Sequence, residues 1–517
     1  MRFRFLLAAA ALAVFQPAFA QSGDETNPAK LQAKEEAKQI AEHWASAPIE
    51  EVEKSYDSKV TVDGRVVSYK ATAGTLTLRD AKGKPQHSIF YTAYTAPGAN
   101  RPITFLFNGG PGSSSLWLRM GSFAPERVYT TDPVAVPPPP YQAGPNSDTL
   151  IGTTDLVFID APGAGYSRML GDAKGSDFYG VDQDVAAFTK AIKRYITRNK
   201  RWASPRYVLG ESYGTTRAGA LAYSMEDEGM SLNGVMLLST ILNYGVRQSG
   251  FDNIHVGYLP SYAATAWYHN RIPNRPADLA TFVQQARDFA TGPYAAALAK
   301  GSDIAPQEFD SIAQQLAGFT GLSVDYIKSA NLRVDLSRFR KELLRDRRET
   351  VGRFDSRYIG IDADAAGEGP EFDASSTGIT GIYISSFMDQ LTRKFGYETN
   401  LEYRRSAREG GDFNWDFSHR EPEGRRQGLA DTSVDLSAAM RINPHLRVLS
   451  LNGYYDMATP FHTTELAIKH LMLPPALMKN VTFTYYDGGH MMYLNPQALH
   501  QLRLDVQRFI EAGGKAG

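Results

Sequence analysis

Gly210-Glu211-Ser212-Tyr213-Gly214 is the segment best suited to covalent chemistry. A serine with glycines two residues to either side fits a sharp strand-to-helix turn, a nucleophile elbow, that lifts the hydroxyl above a sheet edge. The apolar run Tyr207–Leu209 before it and the helical stretch Thr215–Met225 after it supply that strand and helix. A serine hydroxyl needs a base, and the base needs an acid to orient it. In elbow-type sites these follow in the order Ser, Asp, His, each just past a C-terminal strand. Asp456 stands after the run Val448–Leu451, and His490 stands after Val481–Tyr485 in Asp487-Gly488-Gly489-His490. The two glycines suit a loop that delivers an imidazole. His462 is the main competing base but lacks such a loop, and Asp487, three residues before His490, is read as a loop residue.

Asn108-Gly109-Gly110-Pro111-Gly112-Ser113-Ser114-Ser115 follows the strand-like run Ile103–Phe107. A phosphate cradle would need a Gly-Lys-Ser/Thr ending, and this loop has no lysine. The loop suits an oxyanion hole instead, with one N–H from here and one from the residue after the nucleophile. Gly110 and Tyr213 are the expected donors.

The elements that must position these residues are legible as patterns. Alternation from Val60 to Ala93, punctuated by Asp63-Gly64 and Lys82-Gly83-Lys84-Pro85, predicts antiparallel hairpins. Beyond it, apolar runs of strand length (Ile103–Phe107, Leu156–Asp160, Tyr207–Leu209, Val235–Leu238, Val448–Leu451, Val481–Tyr485) alternate with helical stretches such as Asp182–Arg198. Such runs predict a mostly parallel central sheet flanked by helices, an α/β fold. Residues 244–436 are mainly helical in pattern and read as a cap inserted before the last core strands, dividing the core into 59–243 and 437–517. Residues 21–58 read as a helical extension, its surface helix running from Asn27 to about Tyr56.

Met1–Ala20 has a positive start (Arg2, Arg4), an apolar run Phe5–Phe15 and the small-residue pattern Ala18-Phe19-Ala20. That predicts a signal peptide cleaved after Ala20, and a secreted or periplasmic protein with no integral membrane segment once it is removed. The 517 residues, with 43% hydrophobic and 21% charged, are globular in composition, and the formal charge of −1 argues against nucleic-acid binding. The absence of cysteine excludes disulfides, thiolate catalysis, iron–sulfur clusters and cysteine zinc sites. The chemistry expected at Ser212 calls for no metal and no organic cofactor.

Taken together, the loop Asn108–Ser115, the turn Asp160-Ala161-Pro162-Gly163-Ala164-Gly165-Tyr166-Ser167, the elbow, and the Asp456 and His490 segments resemble the serine carboxypeptidase family. The resemblance implies an α/β-hydrolase fold and removal of single residues from peptides with a free C-terminus. It further implies that Asn108, Gly109 and Glu211 bind the terminal carboxylate, with Glu211 protonated at acidic pH. Two departures stand out. Ser113 replaces a family cysteine, and an ungapped count from Asn108 to Ala124-Pro125 puts Ser122 where the family has a second glutamate. Glu126 lies nearby in sequence.

Fainter signals are the acidic stretch Asp362, Asp364, Glu368, Glu371 and Asp373, read as a solvated loop rather than a calcium site, and the Arg-rich run Arg333–Arg348, read as an amphipathic helix with a charged wet face. Trp117 and Tyr213 fit either a side-chain pocket or the core. An esterase or acyltransferase would use the same triad, and a non-catalytic binding protein would use the scaffold without it.

Overall fold

In the computed structural model, which describes residues 47–248 and 250–513, the central strands bury side chains on both faces. The strands are β1 (Glu53–Val62), β2 (Arg65–Arg79), β3 (Pro85–Thr95), β4 (Ile103–Phe107), β5 (Asp155–Ile159), β6 (Arg206–Glu211), β7 (Gly234–Leu238), β8 (Arg447–Gly453) and β9 (Val481–Tyr486). They form one sheet in the order β1-β2-β3-β5-β4-β6-β7-β8-β9, with the short strand Arg168–Met169 paired to β3. The first strands are antiparallel, and from β5 across to β9 all pairings are parallel. Hairpin turns fall at Asp63-Gly64 and before Pro85, where the sequence puts them.

Successive residues of each strand enter different cores. Ile103, Phe105, Phe107, Val208, Val235 and Leu237 pack on one face with α2 (Val181–Arg198) and α3 (Tyr213–Asp227). Leu106, Tyr207, Leu209, Met236 and Leu238 pack on the other, with α1 (Leu116–Gly121) and α4 (Pro496–Gly513). This is why the runs read as continuously apolar: period-two alternation is invisible when both faces are covered. The arrangement is the α/β-hydrolase fold.

Between β7 and β8 the chain leaves the sheet. Helices Asn253–Tyr268, Leu279–Phe289, Pro306–Thr320 and Leu336–Glu342 surround an apolar cluster of their own, in which Tyr262 stacks on Phe339 at 3.9 Å. Two expectations need correction here. The Arg333–Arg348 helix is confined to Leu336–Glu342, started by Asp335, whose carboxylate accepts the Arg338 N–H at 2.9 Å. Nor are its charges all wet: Lys341 is buried on Asp362 at 2.5 Å, and Arg340 is buried with Nε on the Val351 carbonyl. The acidic stretch supplies the partners, because Glu368 also takes Arg338.

At the N-terminal side, β1 begins at Glu53, so a helix reaching Tyr56 is excluded; its strand pairs fully with β2. The segment Met1–Ala20 and most of the 21–58 extension lie outside the described residues. Among the described residues no helix is long and apolar enough to cross a membrane.

Candidate active site

Ser212 joins β6 to α3 with φ 60° and ψ −129°. A non-glycine residue held at such positive φ costs about 1–3 kcal/mol and persists only where its surroundings dictate it. The surroundings here are tight. A Cβ on Gly210 would stand 2.0 Å from the Gly214 carbonyl oxygen, and one on Gly214 would stand 2.8 Å from that of Phe107. Only glycines let β6, α3 and β4 approach this closely. The Ser212 N–H donates to the Leu238 carbonyl at 3.0 Å, and the Ser212 carbonyl accepts from Thr215 N and Oγ1 at 2.8 and 2.6 Å. With its backbone fixed on both sides, the side chain is left at the mouth of a cavity.

The loop after β4 lies directly against this elbow. A Cβ on Gly109 would come within 2.4 Å of Tyr213 N and 2.6 Å of the Glu211 carbonyl oxygen. Three buried groups hold the loop down. Arg217 grips Asp184 at 2.7 and 3.1 Å and gives its third contact, at 2.9 Å, to the Asn108 carbonyl. Asp160 accepts the Ser115 N–H at 2.7 Å, and Ser115 Oγ donates to the Ile159 carbonyl. Burial pushes the Asp160 carboxyl up to about 7, with the Ser115 N–H pulling against it. Among the described residues the N–H groups of Gly110 and Tyr213 donate to no acceptor. They are thus available to an oxygen placed between loop and elbow. The Tyr213 side chain, by contrast, turns into the core, toward Asp184 at 3.3 Å and edge-on to Trp415, while Trp117 lines the cavity.

Asp456 and His490 leave the ends of β8 and β9. His490 Nδ1 is 2.8 Å from Asp456 Oδ2. Asp456 also accepts from Ala458 N, Thr459 N and Thr459 Oγ1 at 2.7, 2.9 and 2.7 Å, so every direction around the carboxylate is fixed. The two loops touch: a Cβ on Gly453 would lie 2.2 Å from the Gly489 carbonyl oxygen. No hydrogen bond joins His490 to Ser212, though both face the same cavity, a common state of such pairs without substrate. His462 stands elsewhere, buried on Glu465 at 2.7 Å, and Asp487 gives its carbonyl to Arg357.

The segment between β7 and β8 also fixes the histidine. Phe354 accepts the His490 N–H through its carbonyl at 2.5 Å, and Asp355 accepts the Gly489 N–H at 3.0 Å. Asp355 is itself clamped by Arg357, which bridges to Asp132 at 2.7 Å, all three side chains being buried. Nothing in the sequence around Phe354 marks this role, since it rests on contacts between residues more than 130 apart.

Glu211 forms part of the cavity wall beside Ser212. Burial raises its carboxyl to about 7, against the lowering influence of His490, the Tyr493 hydroxyl and Asn108. Tyr493 donates to it at 2.8 Å, and a tyrosine three residues past the base was a signal available in the sequence but not used. Asn108 accepts the Leu118 N–H at 2.9 Å, and Asn108, Gly109 and Gly110 share the wall with Glu211 around about 300 Å³ of space. Ser122 is absent from that wall: it is buried at the end of α1, its hydroxyl on the Leu118 carbonyl at 2.6 Å. Glu126 faces Lys394 at 2.7 Å. Neither supplies a second carboxyl to the cavity.

Two predictions follow from these groups. A carboxyl raised from its usual value to about 7 binds its proton in the folded chain where the unfolded chain has lost it, so stability falls as pH rises from about 4.5 to about 7 and then levels. Glu211→Gln is expected to flatten that fall, leaving the part due to Asp160; urea midpoints at pH 4.5, 6 and 8 measure it. Asp355→Ala is expected to slow fluorophosphonate labelling of Ser212 by an order of magnitude or so, because a misplaced base costs rate steeply. Its melting temperature is measured alongside, since the buried Arg357 loses a partner. Unchanged labelling would show that Asp456 and Phe354 suffice to hold the histidine.

The comparisons with known proteins bear on this arrangement. No curated protein sequence matches the chain. Among solved structures, it resembles a proline iminopeptidase of Mycobacterium smegmatis (14% identity, 85% of this chain and 98% of that one, TM-score 0.36). It also resembles a carboxyl esterase of Bacillus coagulans (10%, 85% and 97%, TM-score 0.34) and an epoxide hydrolase variant of Aspergillus niger (12%, 85% and 79%, TM-score 0.34). These likenesses say nothing of reaction or substrate. The family model of serine carboxypeptidases matches residues 62–246. The glycine loop, the Asp160 turn and the Ser212 elbow all fall inside that match, which makes this part of the α/β-hydrolase core similar to serine carboxypeptidases and ends before the Asp456 and His490 segments.

Proposed function

We propose that the chain is a serine carboxypeptidase that removes residues from the free C-terminus of peptides. Ser212 Oγ attacks the carbonyl carbon of the last peptide bond while His490 Nε2 takes its proton. Asp456, bound to Nδ1, fixes the tautomer that leaves Nε2 free to do so and stabilises the imidazolium. The negative oxygen of the tetrahedral intermediate lies between the N–H groups of Gly110 and Tyr213, each such donor being worth about 3–4 kcal/mol in the transition state. His490 then protonates the leaving amine, and a water activated by the same imidazole releases the acyl group from Ser212. The segment 244–436 is the proposed cap, and its Phe354 and Asp355 hold the histidine loop from behind. The apolar segment Met1–Ala20 supports export.

The observation that carries the reading is Glu211. A buried carboxyl beside the nucleophile, neutral below about pH 7, shares its proton with a substrate carboxylate instead of repelling it. Asn108 and the Gly109 backbone stand on the same wall. The burial of Ser122 away from the cavity favours a second reading, an esterase or acyltransferase with the same triad, since the carboxylate site then has one acid where the family has two.

The test uses an N-blocked peptide with either a free or an amidated C-terminus, at pH 5 and pH 7, with Ser212→Ala as control, followed by mass. Stepwise loss from the free acid alone, faster at pH 5, is the expected result. Equal cleavage of acid and amide, or of neither while a simple ester is hydrolysed, would leave the esterase reading in its place.

A further inference from the structure

The wall of the cavity opposite in character to Glu211 carries two guanidinium groups, Arg247 and Arg353, that the proposed reaction does not use. Among the described residues neither has a carboxylate within 4.0 Å. This sets them apart from Arg217, Arg287, Arg333 and Arg357, each of which grips an acid. Arg247 is anchored by donating to the Ala458 carbonyl at 2.6 Å, on the loop that carries Asp456, and its guanidinium lies 5.7 Å from the Tyr244 ring. Arg353 lies 5.2 Å from the ring of Phe354, the residue that holds the His490 N–H. Both are therefore placed by the same loops that place the acid and the base.

The nearest acids are already engaged. Asp373 accepts the Arg353 and Phe354 N–H groups at 2.9 and 3.2 Å and the Ser375 hydroxyl at 2.5 Å. Asp456 is saturated by His490, Ala458 and Thr459. The Arg340 side chain approaches Asp373 from behind at 3.9 Å, adding positive charge on that side. Tyr244 and Tyr258 each lie in the field of both Arg247 and Arg353, so the two guanidiniums share one neighbourhood. Besides Tyr244, the ionisable side chains on the cavity wall are Arg247, Arg353 and His490 against a single carboxyl, Glu211.

Resting on the carboxypeptidase reading, we propose that Arg353, with Arg247 beside it, binds an acidic side chain of the substrate, so that the enzyme prefers peptides with aspartate or glutamate next to the bond it cuts. The proposal gives the two carboxylates different partners: the terminal one Asn108, Gly109 and Glu211, and the side-chain one the arginines. A guanidinium offers paired donors in a plane that matches a carboxylate, and in a partly closed cavity such a pair is strong.

The test compares kcat/KM for N-blocked peptides carrying Glu or Gln at the last or the penultimate position, and for the α-methyl esters of N-blocked Glu and Gln. The esters report on the arginines even if peptides are not cleaved at all, which separates failure of this proposal from failure of the carboxypeptidase reading. The wild type is expected to favour Glu over Gln about 10-fold at one position. Arg353→Gln should bring the ratio near one, Arg247→Gln should reduce it, and Arg353→Lys should restore part of it, with melting temperatures checking that each variant is folded. Equal rates for Glu and Gln throughout, or a preference that survives both Gln variants, would overturn the proposal. So would an Arg353→Gln enzyme that loses its preference for free acid over amide instead, since the arginine would then hold the terminal carboxylate.

Discussion

The site depends on how closely three backbones cross at the end of the sheet. β4, β6 and the start of α3 meet where Gly109, Gly210 and Gly214 leave no room for a Cβ, and Ser212 is forced to positive φ between them. The cost of that conformation, about 1–3 kcal/mol, is offset by burial. Val208, Val235 and Leu237 on one face and Tyr207, Leu209 and Met236 on the other are sealed from water, each contributing on the order of 1.5–3 kcal/mol. Strands this deeply buried do not shift to relieve a turn. The same crossing brings the Gly109–Gly110 backbone beside the Tyr213 N–H, so the proposed nucleophile and oxyanion donors are placed by one packing event.

Charge is used here to hold loops. Arg217 and Asp184 are fully buried and reach the Asn108 carbonyl; Arg357, Asp355 and Asp132 are buried and reach the Gly489 N–H. Each pair carries a desolvation cost that its own attraction roughly balances, so neither is a strong source of net stability. What they contribute is direction. In the first the guanidinium donates its remaining N–H to the Asn108 carbonyl; in the second the Asp355 carboxylate accepts the Gly489 N–H while the guanidinium donates to the Asp487 carbonyl. The loop after β4 is held from α3, and the histidine loop from the segment between β7 and β8.

Much of this was legible in the sequence, and the parts that were not share a cause. Strand positions were readable because both-face burial makes apolar runs, and the glycines at 210 and 214 announced the sharp turn; the equally tight approach at Gly109 was not announced. The Arg333–Arg348 run and the 362–373 stretch were each read alone, as a wet helix face and a solvated loop, whereas Lys341 and Asp362 bury one another. Tyr213 fitted pocket or core equally because a helix-start aromatic points along either path; its hydroxyl toward Asp184 settles it in the core. Phe354 and Asp355 act across long sequence separations, and no local spacing encodes which loop they will meet.

Ser122 shows how one missing acid changes the demands on the rest of the cavity. A single buried carboxyl can share its proton with a substrate carboxylate only while it is protonated, so its grip weakens as pH rises past about 7. Two acids would extend that range by stabilising each other's proton. With one, Asn108 and the Gly109 backbone would carry more of the proposed recognition, as neutral groups whose hydrogen bonds to a charged partner contribute about 1.5–3 kcal/mol each. Positive charge on the opposite wall then matters more. A long-range attraction from Arg247 and Arg353 raises the local concentration of any anionic peptide without needing the Glu211 proton. Recognition of the terminal carboxylate would still need that proton, so the proposed site works best in acid even though the charges on the arginines do not titrate.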